Sequence, residues 1–537
     1  MNVSTYLLAA LATFCATAAT QSNAISGLDG NLYNISAPTY WGRQGSPYPN
    51  GEIGFSAANY MCNSGSVDIV WQAAMAEDHP MFGFMVTRLA DDRMVQISDR
   101  SFCKHAFTSI NGNQGPCTPC QNPNNGSLMG IGCYDVYSAG NNADRFWLGP
   151  ADEINPWLGT WTAVGSYFDQ GDPNVGAPQN SDGARSLTSS MTTTGAMGPV
   201  KNRVTLQEQD LEWPNADYFY MVHLLHRGEP VANRGNNLLT RQLSLSWTGS
   251  SWNESNVAPA QTGSPLNQWP GAQVNLAGNG TDDGRIAVAV KVTPTTGGMY
   301  HYEYAVHNID NHRGAASFRI PVCDAAEIQN LGFRDIDADS LNEWTATVSS
   351  GEIAFTAPAN NPLKWNMMFN FWFDSDAAPV AGDATFDQAL IGPGALSFTV
   401  PTEFPGDMPT VNMGPGCGTP VVNLGANSSP TIPNSSFALV IDTAPFTGVF
   451  LFYGFTPTNQ ALGNGCTQFL DSTTIGTGGF FLTSLSGTQN IPLPIPPGVG
   501  PIDLYFQAAA LAPGGPALGS FSLSNGLQVR VGSNGCP

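Results

Sequence analysis

Basic residues are scarce in this chain. Lysine and arginine together number 19 against 41 aspartates and glutamates, which gives a formal net charge of −22 at pH 7. A field of that sign repels the phosphate backbone of nucleic acids, and no run of basic residues is present to overcome it. The composition therefore predicts a protein that does not bind nucleic acid.

Long apolar runs are also missing after the N-terminus. No later segment offers the roughly 18 uninterrupted apolar residues that a membrane-spanning helix needs. Residues 1–24 combine an apolar run from about Tyr6 to Ala19 with small residues leading to Ala24, a pattern typical of a secretory signal peptide. The segment departs from that pattern in having no Lys or Arg before the apolar run. We expect an exported protein, secreted or at the cell surface, with no transmembrane span.

Charged residues make up only 11% of the chain, whereas Gly (59), Pro (40) and Phe (28) are abundant. Gly and Pro favour turns, and aromatic residues pack well on pleated surfaces. A length of 537 residues exceeds what one hydrophobic core usually serves. We predict an all-β fold with two or more β-sandwich-like domains and a loop-rich, disulfide-bearing N-terminal region.

The clearest domain boundary is a Pro/Gly-rich stretch, after which the composition changes. Between Thr443 and Val529 the charged residues are limited to Asp471 and Asp503, and strand-like runs alternate with Pro/Gly turns. The predicted organisation is a signal peptide (1–24), a β-rich cysteine-containing region (25–210), a β-sandwich-like domain (211–400), a Pro/Gly linker (401–416) and a C-terminal β-sandwich module (417–537).

Nine cysteines follow the predicted signal peptide, and export makes disulfides their first interpretation. The CxxC pair at 117–120 is a good half-site for zinc, but a zinc ribbon needs a second close pair, which this region lacks. The expected bonds are two among Cys62, Cys117, Cys120 and Cys133, one between Cys103 and Cys323, and one between Cys417 and Cys466, with Cys536 left over.

Three aspartates alternate in the stretch GFRDIDADSLNEW. This spacing lets one irregular turn aim three carboxylates at a common point, as a hard cation with about six to eight oxygen ligands requires. The stretch departs from an EF-hand loop at the glycine and final glutamate positions. We predict a calcium site, with a solvated acidic turn as the alternative reading. The candidate ligands are Asp335, Asp337, Asp339 and Glu343.

Histidines occur in two aromatic segments. In YFYMVHLLH, a helix would place His223 and His226 on one face as metal ligands, whereas the aromatic enrichment favours a buried strand whose two rings point to opposite faces. In YHYEYAVHN, alternation places His301 and Glu303 on one face, where they could share an ion. We favour structural roles for these histidines.

Several blocks of the chain resemble a secreted, uncharacterised family of planctomycete-type bacteria. They are KHAF (104–107), CTPC…GIGCYDVYS (117–138), YHYEYAVHNIDNHRGAASFRIPV (300–322), GFRDID (332–337) and LKWNMMFNFWFD (363–374). The C-terminal module likewise resembles β-modules at the ends of exported proteins from such organisms. The resemblance implies export and supplies no activity.

Catalytic signatures are mostly absent: the sequence has no G-x-S-x-G elbow, no H-E-x-x-H and no Walker lysine motif. A glycosidase needs only two suitably spaced carboxylates. The acids that could supply them are Asp152, Glu153, Glu208, Asp210 and Glu212. We therefore favour a non-catalytic extracellular or cell-surface protein for attachment or for binding a glycan or other polymer. The alternatives are a secreted hydrolase of polysaccharide or other polymer and a structural component of the cell envelope.

Overall fold

The computed structural model describes residues 25–531, apart from residues 101, 177–179, 194–197, 279–283, 296–298, 323–325, 350, 407–408 and 501. The predicted signal peptide, Cys323 and Cys536 lie outside the described residues. Strands account for 49% of the structure and helices for 8%, which confirms the predicted all-β class.

The N-terminal unit contains strands β1 to β16 and three short helices. The strands are β1 (Gly30–Ile35), β2 (Thr39–Gly45), β3 (Gly51–Ser56), β4 (Asn59–Asn63), β5 (Ile69–Val70), β6 (Met81–Ala90), β7 (Arg93–Gln96), β8 (Cys103–His105), β9 (Leu128–Met129), β10 (Tyr134–Tyr137), β11 (Leu148–Gly149), β12 (Val204–Gln207), β13 (Asp217–Leu225), β14 (Leu238–Trp247), β15 (Trp252–Asn256) and β16 (Gln261–Thr262). The α-helices are α1 (Ala139–Ala143), α2 (Tyr167–Gln170) and α3 (Ser189–Thr193). Single turns of 3₁₀ helix span Arg145–Trp147, Ala151–Glu153, Pro173–Val175, Glu208–Leu211, Val231–Asn236 and Pro265–Gln268.

The largest sheet of this unit follows the order β11-β8-β6-β13-β14-β15, with β7 added to β6 and β16 to β14. Two three-stranded sheets, β1-β4-β10 and β12-β3-β2, and the two-stranded sheet β5-β9 complete the unit. The core includes the fully buried side chains of Trp71, Phe82, Tyr137 and Tyr220. Aromatic rings thus pack in this core beside aliphatic side chains such as Ile35 and Leu224.

The first domain boundary differs from the prediction. Strand β13 pairs with β6 along its whole length, from Asp217 opposite Leu89 to Leu225 opposite Met81. A division between residues 210 and 211 would therefore separate two neighbouring strands of one sheet. Strand β13 is buried on both faces, so its sequence carries no polar face that would show which sheet it joins.

The middle unit is a β-sandwich, as predicted, but it begins after β16. Its strands are β17 (Gln273–Gly278), β18 (Arg285–Pro294), β19 (Tyr300–Asn308), β20 (Ala315–Pro321), β21 (Ile328–Arg334), β22 (Thr345–Ser349), β23 (Glu352–Thr356), β24 (Met367–Ser375), β25 (Pro379–Gln388) and β26 (Ser397–Pro405). One sheet has the order β17-β18-β19-β24-β21 and the other β22-β23-β20-β25-β26. Tyr304, Phe318, Phe355 and Phe371 are buried in the core of this unit.

The predicted linker is largely strand. Residues 401–405 are the end of β26, where Pro405 is opposite Pro379 of β25, and residues 410–414 form the next strand. Proline is accepted at Pro401 and Pro405 because β26 is an edge strand, where a missing N–H removes no bond to a further strand.

The C-terminal module is a second sandwich, as predicted. Its strands are β27 (Thr410–Gly414), β28 (Asn423–Ala426), β29 (Ala438–Asp442), β30 (Gly448–Gly454), β31 (Pro457–Gly463), β32 (Cys466–Leu470), β33 (Gly476–Leu482), β34 (Thr488–Pro492), β35 (Ile502–Leu511) and β36 (Phe521–Val531). Sheets β27-β36-β35-β30-β33 and β28-β29-β34 enclose its core. On the outer side of the larger sheet, Phe480, Leu482 and Leu511 are exposed next to the ring of Phe450.

Among the described residues, three disulfides join Cys62 to Cys117, Cys120 to Cys133 and Cys417 to Cys466. These bonds confirm the predicted pairing within the first four cysteines and in the C-terminal module. The predicted bond between Cys103 and Cys323 is wrong, because Cys103 carries a free thiol. The thiol is buried among apolar side chains, and this burial raises its pKa to about 12.

None of the helices in the described ranges has the length and apolar character to cross a membrane.

We predict that Phe371→Ala lowers the free energy of unfolding by about 3–5 kcal/mol, because it leaves a cavity in the middle sandwich. The Phe371 ring is fully buried, with ring centroids 5.0 Å from Phe355 and 5.1 Å from Phe318. Denaturant unfolding measures the change, with the exposed residue in Phe480→Ala as the control. Equal losses in the two variants would contradict this account of the core.

Candidate functional site: a groove between two units

The N-terminal and middle units meet along a buried seam. Strands β6, β7 and β13 contribute Met85, Met94 and Met221, which pack against Ala305 of β19 and Met368 of β24. All of these side chains are fully buried. The alanines of β18 and β19 face the larger methionine side chains of the N-terminal unit. Because alanine is small, the two sheets can approach closely.

Buried hydrogen bonds fix the register of the seam. The Asn366 Nδ2 group donates to the carbonyl of Phe84 at 2.9 Å, and the Asn370 Nδ2 group donates to the carbonyl of Met94 at 2.9 Å. The backbone N–H of Met368 donates to Gln96 Oε1 at 2.8 Å. Breaking such a buried bond leaves an unsatisfied group and costs about 1–3 kcal/mol, so sliding of one unit over the other is opposed.

At the rim of the seam lies a groove made of two adjoining cavities of about 860 and 300 Å³. Both are lined by Trp213 and Arg334, so they are neighbours, and we call the two together the seam groove. The larger cavity is lined by polar side chains from both units. These include Asp99, Lys201, Asn202, Thr205, Gln207, Gln209 and Asp210 from the N-terminal unit and Arg334 and Asp337 from the middle unit.

Trp213 lies where the two cavities meet. Its side chain is 41% exposed, although its Nε1 group donates to Asp91 Oδ2 at 2.7 Å and the Arg88 guanidinium lies 4.0 Å from the ring centroid. The cation–π contact and the hydrogen bond together hold the indole in one orientation. The groove therefore has a fixed aromatic surface that remains accessible.

Three arginines converge on the smaller cavity. Arg88 Nη1 donates to Asp210 Oδ1 at 2.9 Å, and Arg334 Nη2 lies 3.8 Å from the same carboxylate oxygen. Arg93 pairs with Glu303. Three of the fifteen arginines in a chain of net charge −22 are thus gathered at one point.

Gly332 allows Arg334 to take this position. A Cβ at residue 332 would lie 2.1 Å from the Trp372 ring, so only glycine lets β21 pass this close to β24. The pairing register shifts between Gln329 and Gly332, a bulge that changes the direction of the strand just before Arg334.

His301 joins two acids next to the groove. Its Nδ1 atom lies 2.7 Å from Asp374 Oδ1 and its Nε2 atom lies 3.3 Å from Glu303 Oε2. The hydrogen bond to Glu303, with that to Asp374, raises the pKa of His301 against the opposing effect of burial. The shared face of His301 and Glu303 is as predicted. Asp374 comes from β24, whose pairing with β19 no local pattern reveals.

His223 lies on strand β13, as the strand interpretation predicted, and His226 follows directly after the end of that strand. Both side chains are buried. Burial lowers the pKa of His223 to about 3, so this ring is neutral over the ordinary pH range. His226 Nε2 lies 3.2 Å from Glu229 Oε2, an ion pair only when the ring is protonated.

The alternating aspartates form a chain of turns. The backbone N–H of Asp337 donates to Asp335 Oδ1 at 3.1 Å, and that of Asp339 donates to Asp337 Oδ1 at 2.7 Å. Asp335 is buried, and its other oxygen accepts a bond of 2.6 Å from Asn361 Nδ2, whereas Glu343 is exposed. Burial raises the pKa of Asp335. Each carboxylate thus stabilises the backbone two residues further on, which explains the period of two.

Across the described ranges, no group of three or more His, Cys, Asp or Glu side chains is placed to hold a metal ion. This geometry does not test calcium binding, and the site predicted at Asp335, Asp337, Asp339 and Glu343 stays a prediction.

The acids named as possible catalytic residues lie in different environments. Glu208 is buried and paired with Arg43 at 2.5 Å, Asp210 lines the seam groove, and Glu212 accepts from the hydroxyl of Tyr48. Asp152 and Glu153 lie on a separate 3₁₀ turn.

The pKa values of Asp152 and Glu153 are shifted in opposite directions. Burial opposes ionisation of Asp152, but Arg100 and Lys364 lower its pKa overall. Burial raises the pKa of Glu153, which accepts bonds from the backbone N–H of Tyr167 at 2.7 Å and from Trp161 Nε1 at 3.2 Å. Of the five acids, only Asp210 lines the seam groove.

Comparison with solved structures finds two pilins and an alpha-2-macroglobulin at low similarity. The major pilin subunit BcpA of Bacillus cereus is 10% identical, with 63% of this chain and 86% of that chain covered and a TM-score of 0.17. The T6 backbone pilin of Streptococcus pyogenes serotype M6 is 8% identical, with 84% and 79% covered and a TM-score of 0.18. Escherichia coli alpha-2-macroglobulin is 10% identical, with 94% and 35% covered and a TM-score of 0.14. Scores this low do not establish a shared fold.

No protein-family model and no curated protein matches the chain. The resemblance to secreted proteins of planctomycete-type bacteria therefore stays a prediction.

We predict that His301→Gln destabilises the protein more in mild acid than in mild alkali. Because the folded-state pKa lies above the ordinary value of 6.5, the stabilising charge is fully present below about pH 6.5 and is lost as the pH rises through the folded pKa. We expect a loss of up to about 1 kcal/mol near pH 5.5 and a smaller loss near pH 9. Denaturant unfolding at both pH values measures it, and a loss independent of pH would contradict the ion-pair assignment.

Proposed function

We propose that this chain is a non-catalytic extracellular or cell-surface protein that binds a glycan or other polymer in the seam groove. The accessible, immobilised indole of Trp213 between two polar cavities is the observation that carries the proposal. Sugar rings present apolar C–H faces and hydroxyl edges, so they require an aromatic platform surrounded by hydrogen-bonding groups. The seam groove supplies both.

The rigidity of the groove supports binding. Its walls belong to the N-terminal and middle units, which are joined by buried bonds from Asn366, Asn370 and Gln96. A preformed site loses little conformational entropy when a ligand enters, which raises affinity.

The disulfides support an extracellular location. Three bonds among described cysteines fit an oxidising compartment, where such bonds persist. They agree with the export that residues 1–24 predict.

We predict that Trp213→Ala weakens binding of a soluble oligosaccharide at least tenfold, a change of about 1.4 kcal/mol. The ligand is first selected on an array of neutral and acidic oligosaccharides, and the affinity is measured by calorimetry. Phe455→Ala, which removes a 56% exposed aromatic ring from the C-terminal module, is the matched control. Unchanged affinity in Trp213→Ala would exclude the seam groove as the binding site. Release of new reducing ends from the ligand would favour the secreted hydrolase instead.

We also propose that calcium binds the loop of Asp335, Asp337, Asp339 and Glu343. Four carboxylates within nine residues repel one another, and a divalent cation would relieve that repulsion. The turns already bring Asp335 and Asp337 into successive positions, and the charges of Asp337 and Glu343 contribute to the raised pKa of Asp335.

We predict that calcium at about 100 times its Kd raises the free energy of unfolding by about 2.7 kcal/mol. The measurement is a thermal melt with calcium and with chelator. The double variant Asp335→Asn, Asp337→Asn should lose the effect. The control Asp471→Asn alters an exposed carboxylate that likewise accepts a backbone N–H two residues on, at 2.8 Å from Thr473, and should retain it. Identical melting temperatures in calcium and chelator would remove the site.

A further inference from the structure

We propose that Arg88 and Arg334, at the Trp213 end of the seam groove, bind the acidic group of a glycan, either a carboxylate or a sulfate ester. This inference rests on the proposed glycan-binding function and names the class of sugar that the seam groove accepts.

Unused hydrogen-bond donors are the first observation. Arg88 is 3% exposed, and its Nη1 group donates to Asp210 Oδ1 at 2.9 Å and to the Asp210 carbonyl at 3.1 Å. Its Nε atom is buried and has no acceptor within the described part of the chain, and the same holds for Arg334 Nε. A buried donor without an acceptor costs free energy, which a ligand oxygen would recover.

The charged groups at the smaller cavity balance one another. Asp210 is shared between Arg88 and Arg334, Arg93 is paired with Glu303, and Asp91, which lines the cavity, accepts from Trp213. Three arginines thus face three acids, so recognition of an anion rests on the directed guanidinium donors and not on a net positive charge.

Shape and chemistry agree with a sugar acid. A guanidinium group is planar and can donate two parallel hydrogen bonds to a carboxylate or sulfate. The smaller cavity, at about 300 Å³, has room for an acidic substituent and the ring that carries it, while the adjoining 860 Å³ extends along the neighbouring polar side chains. Trp213 lies between the two spaces and can stack on the ring.

The net charge distinguishes this ligand from nucleic acid. A chain of charge −22 repels a dense polyanion, but the repulsion between exposed charges is screened beyond about 8 Å at physiological ionic strength. A single acidic group can therefore enter the smaller cavity with little electrostatic repulsion from the rest of the surface.

The test uses the mature protein and three oligosaccharides of equal length: one of hexuronic acid, one of sulfated galactose and one of neutral glucose. Calorimetry should show at least tenfold tighter binding of one or both acidic sugars, and the separate arms identify carboxylate or sulfate as the preferred group. Arg334→Gln should abolish the preference for the acidic sugars. Arg227→Gln removes a half-exposed arginine paired with Asp78 elsewhere in the same unit, and it should preserve the preference.

Several results would overturn the inference. Equal binding of neutral and acidic sugars, with both lost in Trp213→Ala, would reject acidic specificity and keep the proposed glycan function. Binding of none of the sugars would count against both. Tighter binding of single-stranded DNA than of any sugar, lost in Arg334→Gln, would assign the pocket to nucleic acid. Circular dichroism and the melting temperature of Arg334→Gln establish that the variant is folded.

Discussion

The contact between β24 and the strands β6 and β7 determines how the first two units are arranged. An asparagine on β24, Asn370, uses its side chain to satisfy the carbonyl of Met94, and the N–H of Met368 is satisfied by Gln96. These groups lie among methionine and alanine side chains, where water cannot replace a lost partner. The two units are therefore rigidly joined at this contact. The contact in turn fixes the positions of the residues along the rim of the seam.

The seam groove is a consequence of that arrangement. Arg88 belongs to β6, Trp213 to the segment before β13, and Arg334 to the end of β21, so neither unit alone contains the pocket. A binding site shared in this way gains rigidity from the seam and requires no mobile loop to close over it. The ion pairs that surround Trp213 serve both the packing of the units and the recognition that we propose.

Much of the fold could be predicted because short-range patterns are strong. Alternation in YHYEYAVHN placed His301 and Glu303 on one face, and the structure has Tyr302 and Tyr304 of the other face in the core. The aromatic enrichment around His223 identified a buried strand. Partner choice between strands was not predictable, since β13 has no polar face to mark its sheet. The segment that begins at Pro401 was predicted to be a linker, because the sequence does not show that its strand lies at the edge of a sheet.

The site was less predictable than the fold. Arginines 88, 93 and 334 share no motif and come together through non-local pairing, whereas the aspartates at 335–339 share a motif whose carboxylates satisfy local backbone N–H groups. The spacing of residues in the sequence reveals a site only when a single segment of the chain supplies all of its residues.

The outer face of the C-terminal sheet contrasts with the seam groove. Phe480, Leu482 and Leu511 lie in a stretch where Asp471 and Asp503 are the only charges, so contacts made there depend on the release of water from apolar surface. Added electrolyte weakens interactions of guanidinium groups with anions but leaves apolar association intact or strengthens it. Contacts made by the seam groove would therefore be stronger in fresh water than in brine, whereas contacts made by the outer face of the C-terminal sheet would not weaken in brine.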